Sequence, residues 1–502
     1  MSVPIMSVPI PHPRMRYERW SFDPVPRTWS FDLEMSEETV ETGWGAMLRP
    51  AWLPAVSVLV GGVLLHSMNV LMLATVLPSV VDDLGGATLM SWTSTAFLAS
   101  SIVAATCTGY LTSILGARTV FCTGAAIFGL GALTCALAPT MGQVVAGRFV
   151  QGFGGGLLTA MAYVLVRSTF PENLWARGFA LLSAAWSMSI LVGPLVGGLF
   201  ARYGDWRGAF FAVTAMAVVL VVVARRALPL SATSGASARV PGLRVLLICA
   251  AIAAMSLMAV VPGVPAKLLL LVGAVAALVV TLRVDRRAPQ PLLPTDAFSF
   301  DSLTGMGLWL SLLVAVSYSP LQIFVAIFLQ SLHGLDPLEA GYMVAGASFG
   351  WTGMSLVVAG TPEQRSDRLL VAGPIMMVLG LVGVALLMPL KPAPIVFPAI
   401  ALVGAGIGAC WAFIAQRVMS GARPGEENLA ASSIATVQQT GFALGAALSG
   451  LAANAAGLSA GLTRTDVAAA AFWVPMSFVL AALAAVVAGM RLVRLRRRIV
   501  GT

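Results

Sequence analysis

The feature that most constrains this chain is the length of its uncharged stretches. The 29 residues between Arg118 and Arg148 include no charged side chain, and similar stretches recur, each followed by a short polar or arginine-bearing loop. A bilayer core about 30 Å thick is crossed by roughly 20 apolar residues of α-helix, because lipid offers no hydrogen-bond partner to an open backbone. The pattern therefore predicts an all-α membrane protein.

By this rule the sequence predicts fourteen transmembrane helices. They cover residues 51–80, 88–112, 119–138, 143–166, 178–201, 208–224, 243–261, 266–282, 303–330, 337–359, 369–388, 393–416, 429–455 and 468–490. Pro262, Gly263 and Pro265 leave open whether the seventh and eighth segments are two spans or a hairpin that does not cross, which would reduce the count to twelve. A composition of 58% hydrophobic and 10% charged residues also differs from soluble proteins, which have about 25% charged residues.

The sequence indicates neither an enzyme nor a metalloprotein. No Gly-x-x-x-x-Gly-Lys-Ser/Thr nucleotide-binding signature is present, and no nucleophile–base pair or set of metal ligands stands out. The five cysteines fall inside predicted spans without paired spacing. We therefore expect no enzymatic activity and no cofactor.

The distribution of Lys and Arg predicts the orientation in the membrane. Loops on the side of the two termini contain fourteen of these residues, and loops on the other side contain five. Basic loops resist translocation, so we expect both termini in the cytoplasm and the protein in the inner (plasma) membrane of a bacterium. The net charge of +9 then reflects topology and contact with anionic lipid. We expect no nucleic-acid partner, because the arginines are spread along short loops rather than gathered on one face.

Two glycine-rich segments carry the most specific pattern. Residues 147–156 read Gly-Arg-Phe-Val-Gln-Gly-Phe-Gly-Gly-Gly in the fourth span, and residues 193–198 read Gly-Pro-Leu-Val-Gly-Gly in the fifth. They resemble the second and third signature motifs of the major facilitator superfamily, of which the latter is associated with antiporters. Residues 205–211 and 437–445 resemble further marks of its fourteen-helix drug:proton antiporter branch.

The resemblance covers about residues 50–490 and implies two pseudo-symmetric six-helix halves, a central cavity and alternating access. It also implies a small-molecule substrate, protons as coupling ions and a monomer in the lipid bilayer. The predicted organisation is a disordered cytoplasmic tail (1–50), an N-terminal half (51–224), two extra central spans with linkers (225–300), a C-terminal half (301–490) and a basic cytoplasmic tail (491–502). Gly193, Pro194, Gly197 and Gly198 of the antiporter motif are expected to act in helix packing and kinking. Gly404, Gly406 and Gly408 in the twelfth span echo the glycines of the fourth.

The chain departs from the family pattern in the loop after the second span. Residues 109–118 read Gly-Tyr-Leu-Thr-Ser-Ile-Leu-Gly-Ala-Arg, so Ser113 replaces the acidic residue that helps to latch the cytoplasmic side in the family. The pseudo-symmetric loop, residues 360–368, keeps charges of both signs. The candidate gating residues of the two loops are Gly109, Gly116, Arg118, Arg365, Asp367 and Arg368.

A second departure concerns proton coupling. Members of the branch commonly have an Asp in the first helix, and the matching position here is Asn69, which cannot titrate. His66 lies one helical turn earlier on the same face, and an imidazole, with an ordinary pKa of about 6.5, can exchange protons near neutral pH. The alternative for His66 is a neutral ring hydrogen-bonded to a neighbouring helix.

Arg148 is the other candidate for proton coupling. An arginine inside a span costs about 2.5–3.5 kcal/mol on insertion scales, so it usually faces a cavity or a partner. No Asp or Glu lies near the middle of a predicted span, which leaves Gln151, Asn69 or backbone carbonyls as its expected partners. The alternative for Arg148 is an anchor at the end of the helix.

Isolated polar and aromatic residues in apolar spans are candidates for the substrate cavity. They are Asn69, Gln151, Trp186, Trp309, Tyr318, Gln322, Trp411, Gln438 and Gln439. Aromatic faces suit flat hydrophobic or cationic compounds, although aromatic residues are also common at membrane interfaces. We expect a secondary active transporter that exports a hydrophobic or amphipathic small molecule, drug-like or a toxic metabolite, by proton antiport. A proton-independent or symporting metabolite permease and a transport-inactive membrane sensor stay open as alternatives.

Overall fold

The structure of the chain is a computed structural model. It describes residues 45, 52–86, 89–203, 205–228, 242–258, 261, 263–289, 291–335, 337–390, 392–457 and 463–500. Apart from residue 45, the predicted N-terminal tail lies outside the described residues, as do residues 501–502 of the predicted C-terminal tail.

The described residues form fifteen α-helices and a short 3₁₀ helix, Glu172–Leu174. The α-helices are α1 (Leu53–Leu84), α2 (Met90–Leu115), α3 (Ala117–Ala136), α4 (Met141–Thr169), α5 (Trp175–Arg202), α6 (Trp206–Ala227), α7 (Gly242–Leu257), α8 (Val264–Asp285), α9 (Leu303–Ile323), α10 (Val325–His333), α11 (Pro337–Val358), α12 (Glu363–Leu387), α13 (Ala393–Ser420), α14 (Glu427–Ala455) and α15 (Arg464–Val500).

A helix lies at each of the fourteen predicted positions, and the ninth is interrupted at Phe324 into α9 and α10. Among the described residues, eleven helical segments are long and apolar enough to cross a membrane, and Gly242–Met255 is a shorter apolar helix. The all-helical membrane fold is therefore confirmed. The number of fourteen spans stays a prediction.

The helices pack in two groups. Helices α2 and α3 each lie against α4, α1 lies against α5, and α3 lies against α6. In the second group, α11 and α12 each lie against α13, α12 lies against α15, and α9 lies against α14. The groups meet where α14 contacts α2 and α4, and where α5 contacts α11 and α13. Helices α7 and α8 pair with each other beside α2 and α14.

Glycines of α4 allow its backbone to touch that of α2. A Cβ atom added to Gly152 would overlap the carbonyl oxygen of Phe97, and one added to Gly156 would overlap that of Ser101. The two pairs are four residues apart on both helices, so one face of α4 follows one face of α2 for a full turn. The glycines of the fourth span are thus explained by close helix packing.

Helix α13 meets α11 in the same way. A Cβ atom on Gly404 would overlap the carbonyl oxygen of Ala347, and one on Gly408 would overlap that of Trp351. The spacing is again four residues on each helix. The weak glycine echo in the sequence therefore corresponds to the same backbone contact in the two groups of helices.

One end of the bundle carries most of the arginine side chains that the structure describes, and we call it the arginine-rich end. Helices α2, α4, α6, α8, α11, α13 and α15 finish there. Contacts hold this end together, since Arg423 donates to the hydroxyl of Thr295 at 3.0 Å and Arg491 pairs with Asp301 at 3.2 Å. Its placement in the cytoplasm is the orientation that the loop charges predict.

Candidate functional site

Arg148 is buried in α4, with 1% of its surface exposed. Its Nη1 donates to Oε1 of Gln151 at 2.7 Å and its Nε donates to the carbonyl oxygen of Thr93 at 3.4 Å. The guanidinium lies over the ring of Phe97, 4.2 Å from the ring centroid. No carboxylate pairs with it among the described residues. A buried position seven residues into the helix contradicts the helix-end anchor.

Gln151 connects Arg148 to the first helix. Its Nε2 donates to Oδ1 of Asn69 at 3.1 Å, and both side chains are fully buried. Two of the partners expected for Arg148 are therefore present, an adjacent glutamine and a backbone carbonyl. Asn69 joins the network through Gln151 rather than by direct contact.

His66 lies beside this network in α1, with 4% of its surface exposed. Its ring centroid is 5.3 Å from that of Phe97 and 6.1 Å from that of Trp186, and Gly155 of α4 leaves the space that the imidazole fills. Within the described residues, Nδ1 of His66 has no hydrogen-bond partner. The alternative of a histidine hydrogen-bonded to a neighbouring helix is not what these residues show.

Two polar atoms of the cluster are buried without a partner among the described residues, Nδ1 of His66 and Nδ2 of Asn69. They lie one turn apart on α1. An unsatisfied buried polar atom costs about 1–3 kcal/mol, so such atoms are uncommon in folded proteins. A water molecule or a polar group of a substrate would relieve this cost.

A second polar network joins α14 to the first group of helices. The hydroxyl of Ser101 donates to Oε1 of Gln439 at 2.9 Å, and Nε2 of Gln439 donates to the hydroxyl of Thr159 at 3.2 Å. The hydroxyl of Tyr163 donates to Oε1 of Gln438 at 3.3 Å. The two candidate glutamines therefore face α2 and α4 across the boundary between the groups.

An aromatic chain continues from this network into the second group. Nε1 of Trp411 donates to the hydroxyl of Tyr163 at 3.3 Å. The ring of Trp411 is 6.2 Å from that of Trp351, which is 5.9 Å from that of Tyr318. Trp351 and Tyr163 were not among the predicted residues. Trp351 carried the same signal as the other isolated aromatics, whereas nothing in the sequence distinguished Tyr163 from its apolar neighbours.

Three predicted cavity residues lie outside these two networks. Trp186 is 41% exposed and its ring is T-shaped to that of His66, and Gln322 is exposed next to the break between α9 and α10. Trp309 lies at the arginine-rich end, where its Nε1 donates to the carbonyl oxygen of Phe298 at 3.0 Å and its ring stacks on Phe300 at 5.6 Å. Trp309 therefore secures the segment before α9, and its role in a cavity stays a prediction.

The antiporter motif lies where α5 crosses α1. Cβ atoms added to Gly193 and Gly197 would collide with α1, at Met68 and Thr75 among others, whereas Gly198 faces open space. Pro194 is inside the helix. The packing role expected of the motif is thus physically available at two of its three glycines.

Among the gating candidates, Gly109 lies at a contact between the two groups. A Cβ atom there would be 2.5 Å from the hydroxyl oxygen of Ser432 and 2.9 Å from Cα of Leu429, at the start of α14. Gly116, with φ of +79°, lies between α2 and α3, and Arg118 is half-buried just after it.

Asp367 is the buried member of the second gating loop. It pairs with Arg496 at 3.0 Å and with Arg417 at 3.4 Å, which joins α12 to α13 and α15. Arg365 and Arg368 are exposed. Because α12, α13 and α15 belong to one group of helices, these ion pairs stabilise that group rather than the boundary between the groups.

The two groups are closed together at the arginine-rich end. Besides the contacts of Gly109 and Gln439, Ser187 of α5 hydrogen-bonds to Thr352 of α11, and Thr352 donates to the carbonyl oxygen of Ser183 at 3.0 Å. All of these residues lie in the part of their helices towards that end. The structure therefore shows the two groups in contact at several places in this part of the bundle.

Comparisons with known proteins agree with this architecture. A protein of Mycobacterium tuberculosis (strain ATCC 25618 / H37Rv), named "Probable multidrug-efflux transporter", is 35% identical over 479 residues, which cover 93% of this chain and 100% of that protein. A puromycin resistance protein of Streptomyces alboniger is 30% identical over 385 residues, covering 74% of this chain and 76% of that protein.

Solved structures resemble the fold at low sequence identity. The human organic anion transporter MFSD10 has a TM-score of 0.66 at 14% identity, covering 88% of this chain and 99% of that chain. The proton:xylose symporter XylE has a TM-score of 0.61 at 14% identity, covering 86% and 94%. The family model described as Major Facilitator Superfamily matches residues 59–450. With most of its length matched in these ways, this multi-pass membrane chain belongs to the major facilitator superfamily.

Proposed function

We propose that the protein exports a hydrophobic or amphipathic small molecule across the inner membrane by proton antiport with alternating access, as a monomer. The names of its relatives support drug export, since they include a multidrug-efflux transporter and a puromycin resistance protein. The closure of the two groups of helices at one end supports alternating access, in which this closure opens and the other end closes.

The observation that carries the proposal is the buried cluster of Arg148, Gln151, Asn69 and His66. His66 is the member of the cluster whose imidazole can take up a proton, and both it and the Arg148 guanidinium lie against the ring of Phe97. Protonation of His66 would place a second positive charge there, with no described carboxylate to balance it. The repulsion favours a conformation in which one of the two cations is hydrated, which ties the proton to the opening of the helices.

The driving force is adequate for export. One proton that moves down a potential of 100 mV supplies about 2.3 kcal/mol. This free energy maintains a concentration ratio of roughly fortyfold for one neutral substrate molecule per proton. The proposal therefore needs no nucleotide, in agreement with the lack of a nucleotide-binding signature.

The proposal is tested by proton movement in everted membrane vesicles. Lipophilic cations, neutral antibiotics and organic anions are added to vesicles with the wild type, Arg148→Gln or Arg226→Gln, and the collapse of the pH gradient is followed by fluorescence. We expect at least one compound class to collapse the gradient with the wild type and with Arg226→Gln, whose side chain is exposed, but not with Arg148→Gln. Collapse that is equal in all three would contradict a role for the cluster.

The absence of a midspan acid favours a second candidate, a permease that is proton-independent or symporting. The buried carboxylates among the described residues, Asp285, Asp296 and Asp367, all lie at the arginine-rich end and not near Arg148. Exchange of labelled substrate that is unaffected by collapse of the pH gradient would favour a proton-independent permease, and substrate binding without any flux would favour a membrane sensor.

A further inference from the structure

A lateral cavity of about 440 Å³ lies where α2 and α14 meet, on the side covered by α7 and α8. Pockets that bind small molecules typically have volumes of about 300–1,000 Å³. The floor of the cavity is the contact between α2 and α14, which Ser101 and Gln439 close further along these helices. The cavity and the polar network between the groups therefore share helices α2 and α14.

The lining of the cavity is amphipathic along the membrane normal. Thr95, Lys267 and Asn454 lie close to the ends of α2, α8 and α14 that are opposite the arginine-rich end. The apolar residues include Leu98, Ile102, Ile252, Met255, Phe324 and Ala447. No acidic residue lines the cavity among the described residues. This arrangement of polar and apolar residues suits a molecule with an apolar body and an anionic or hydrogen-bond-accepting head.

Lys267 gives the cavity its charge. Its side chain is half-buried, and it makes no ion pair within the described part of the chain. A lysine near the end of a membrane helix usually extends towards the headgroup region, where anionic groups are its natural partners. Met255 adds an adaptable apolar surface, because a methionine side chain fits ligands of different shape.

The outer wall of the cavity is formed by α7 and α8, which lie outside the two packed groups of helices. Helix α8 is largely uncovered, with Leu269 74% and Val272 65% exposed, so its outer side faces lipid. A molecule dissolved in the bilayer would therefore meet this wall without crossing water.

We propose that this cavity is a lateral binding site for a membrane-soluble amphiphile with an anionic group, with that group at Lys267 and its apolar body between α2, α7 and α14. The site deepens the proposed transport function, on which its use as an exit route for substrate rests. It lies in the half of the bundle away from the arginine-rich end, where the two groups are not closed by the contacts described above. An exported amphiphile would leave sideways through it, with its head at the opposite membrane surface.

The test is photolabelling of the whole protein in phosphatidylcholine nanodiscs. The probe is a fatty acid with a mid-chain diazirine, and its methyl ester is the neutral control. We expect mass spectrometry to place crosslinks of the acid on peptides of α7 and α14, about tenfold more than those of the ester. Phosphatidylglycerol added to the discs shows whether an anionic phospholipid competes for the same site.

Two pairs of variants test separately the charge of Lys267 and the free volume of the cavity. Lys267→Gln should remove the preference for the acid, whereas Arg464→Gln, an exposed arginine at the same end, should keep it. Met255→Trp, which fills the cavity, should abolish these crosslinks, whereas Leu269→Trp on the exposed side of α8 should not.

Equal labelling by acid and ester in the wild type would overturn the proposal, as would labelling that both Lys267→Gln and Met255→Trp leave unchanged. The result is independent of transport. Labelling as expected, together with vesicles that move no protons, would leave the site in place and refute the antiport.

Discussion

At the scale of single residues, the protein places a histidine and an arginine against the same phenylalanine ring, and no described carboxylate lies beside them. His66 and Arg148 are both buried, and both contact Phe97. Protonation of His66 would create a positive charge, whereas protonation of an acid would remove a negative charge. In the proposed mechanism, repulsion between the two cations would link protonation to conformation, as the neutralisation of a carboxylate would in a site with an acid.

We expect His66→Gln to bind substrate and to lose substrate-induced proton flux. Glutamine is polar and fits the space above Gly155, but it cannot take up a proton. Exchange of labelled substrate across vesicles should persist, whereas addition of substrate should no longer collapse the pH gradient. Proton flux that persists in His66→Gln would remove the histidine from the mechanism.

Asp83 lies outside the predicted central region of the membrane, and we expect it to make a small contribution to stability. Hydrogen bonds from Arg207 and Trp206 lower the pKa of its carboxyl group below the ordinary value. A lowered pKa means that the carboxylate stabilises the fold at neutral pH and that this contribution is lost as pH falls below about 4. Because the pair is exposed, we expect a slight loss.

The measurement is the thermal unfolding temperature in detergent at pH 7 and at about pH 3. Asp83→Asn should lower it at pH 7 and reduce its dependence on pH. The neighbouring Asp82→Asn is the control, and an identical response of the two variants would contradict the account of Asp83.

At the scale of helices, close backbone contact holds α4 on α2 and α13 on α11. We expect Gly152→Ala to destabilise the protein by about 1–3 kcal/mol, because the new methyl group would overlap the carbonyl oxygen of Phe97. Gly142→Ala on the same helix is the control, since a Cβ atom there meets nothing within 4 Å. Unfolding measured in detergent should separate the two variants, and equal stability would show that the contact is not tight.

The sequence predicts the helices well because the length of an uncharged stretch is a property of the chain itself. It does not predict the direction in which a side chain points once helices pack. Trp309 and Trp411 are both isolated tryptophans in apolar spans, yet Trp309 secures a loop and Trp411 joins the network at Tyr163. Arg148 was found because a buried charge is costly wherever it points, whereas Tyr163 needed the position of Gln438 from another helix.

At the scale of the whole molecule, the structure is closed at the arginine-rich end, where α2 and α14 touch at Gly109. We expect Gly109→Leu to separate these helices and to shift the population towards the conformation that is open at this end. Ser432→Cys should then react faster with a membrane-impermeant maleimide in everted vesicles, as read from its own peptide by mass spectrometry. Gly353→Leu, where a Cβ atom meets nothing within 4 Å, should not change the rate. Slower labelling in Gly109→Leu would contradict this account of the closure.

The most direct test of proton antiport uses purified protein in proteoliposomes and a compound that moved protons in the vesicle panel. Antiport predicts that the labelled compound accumulates above its external concentration when the interior is more acidic, and that it only equilibrates when the pH is equal and no potential is present. Arg148→Gln should not support accumulation. Accumulation with an alkaline interior would indicate symport, and equilibration under every gradient would indicate a permease, so either result would contradict the account.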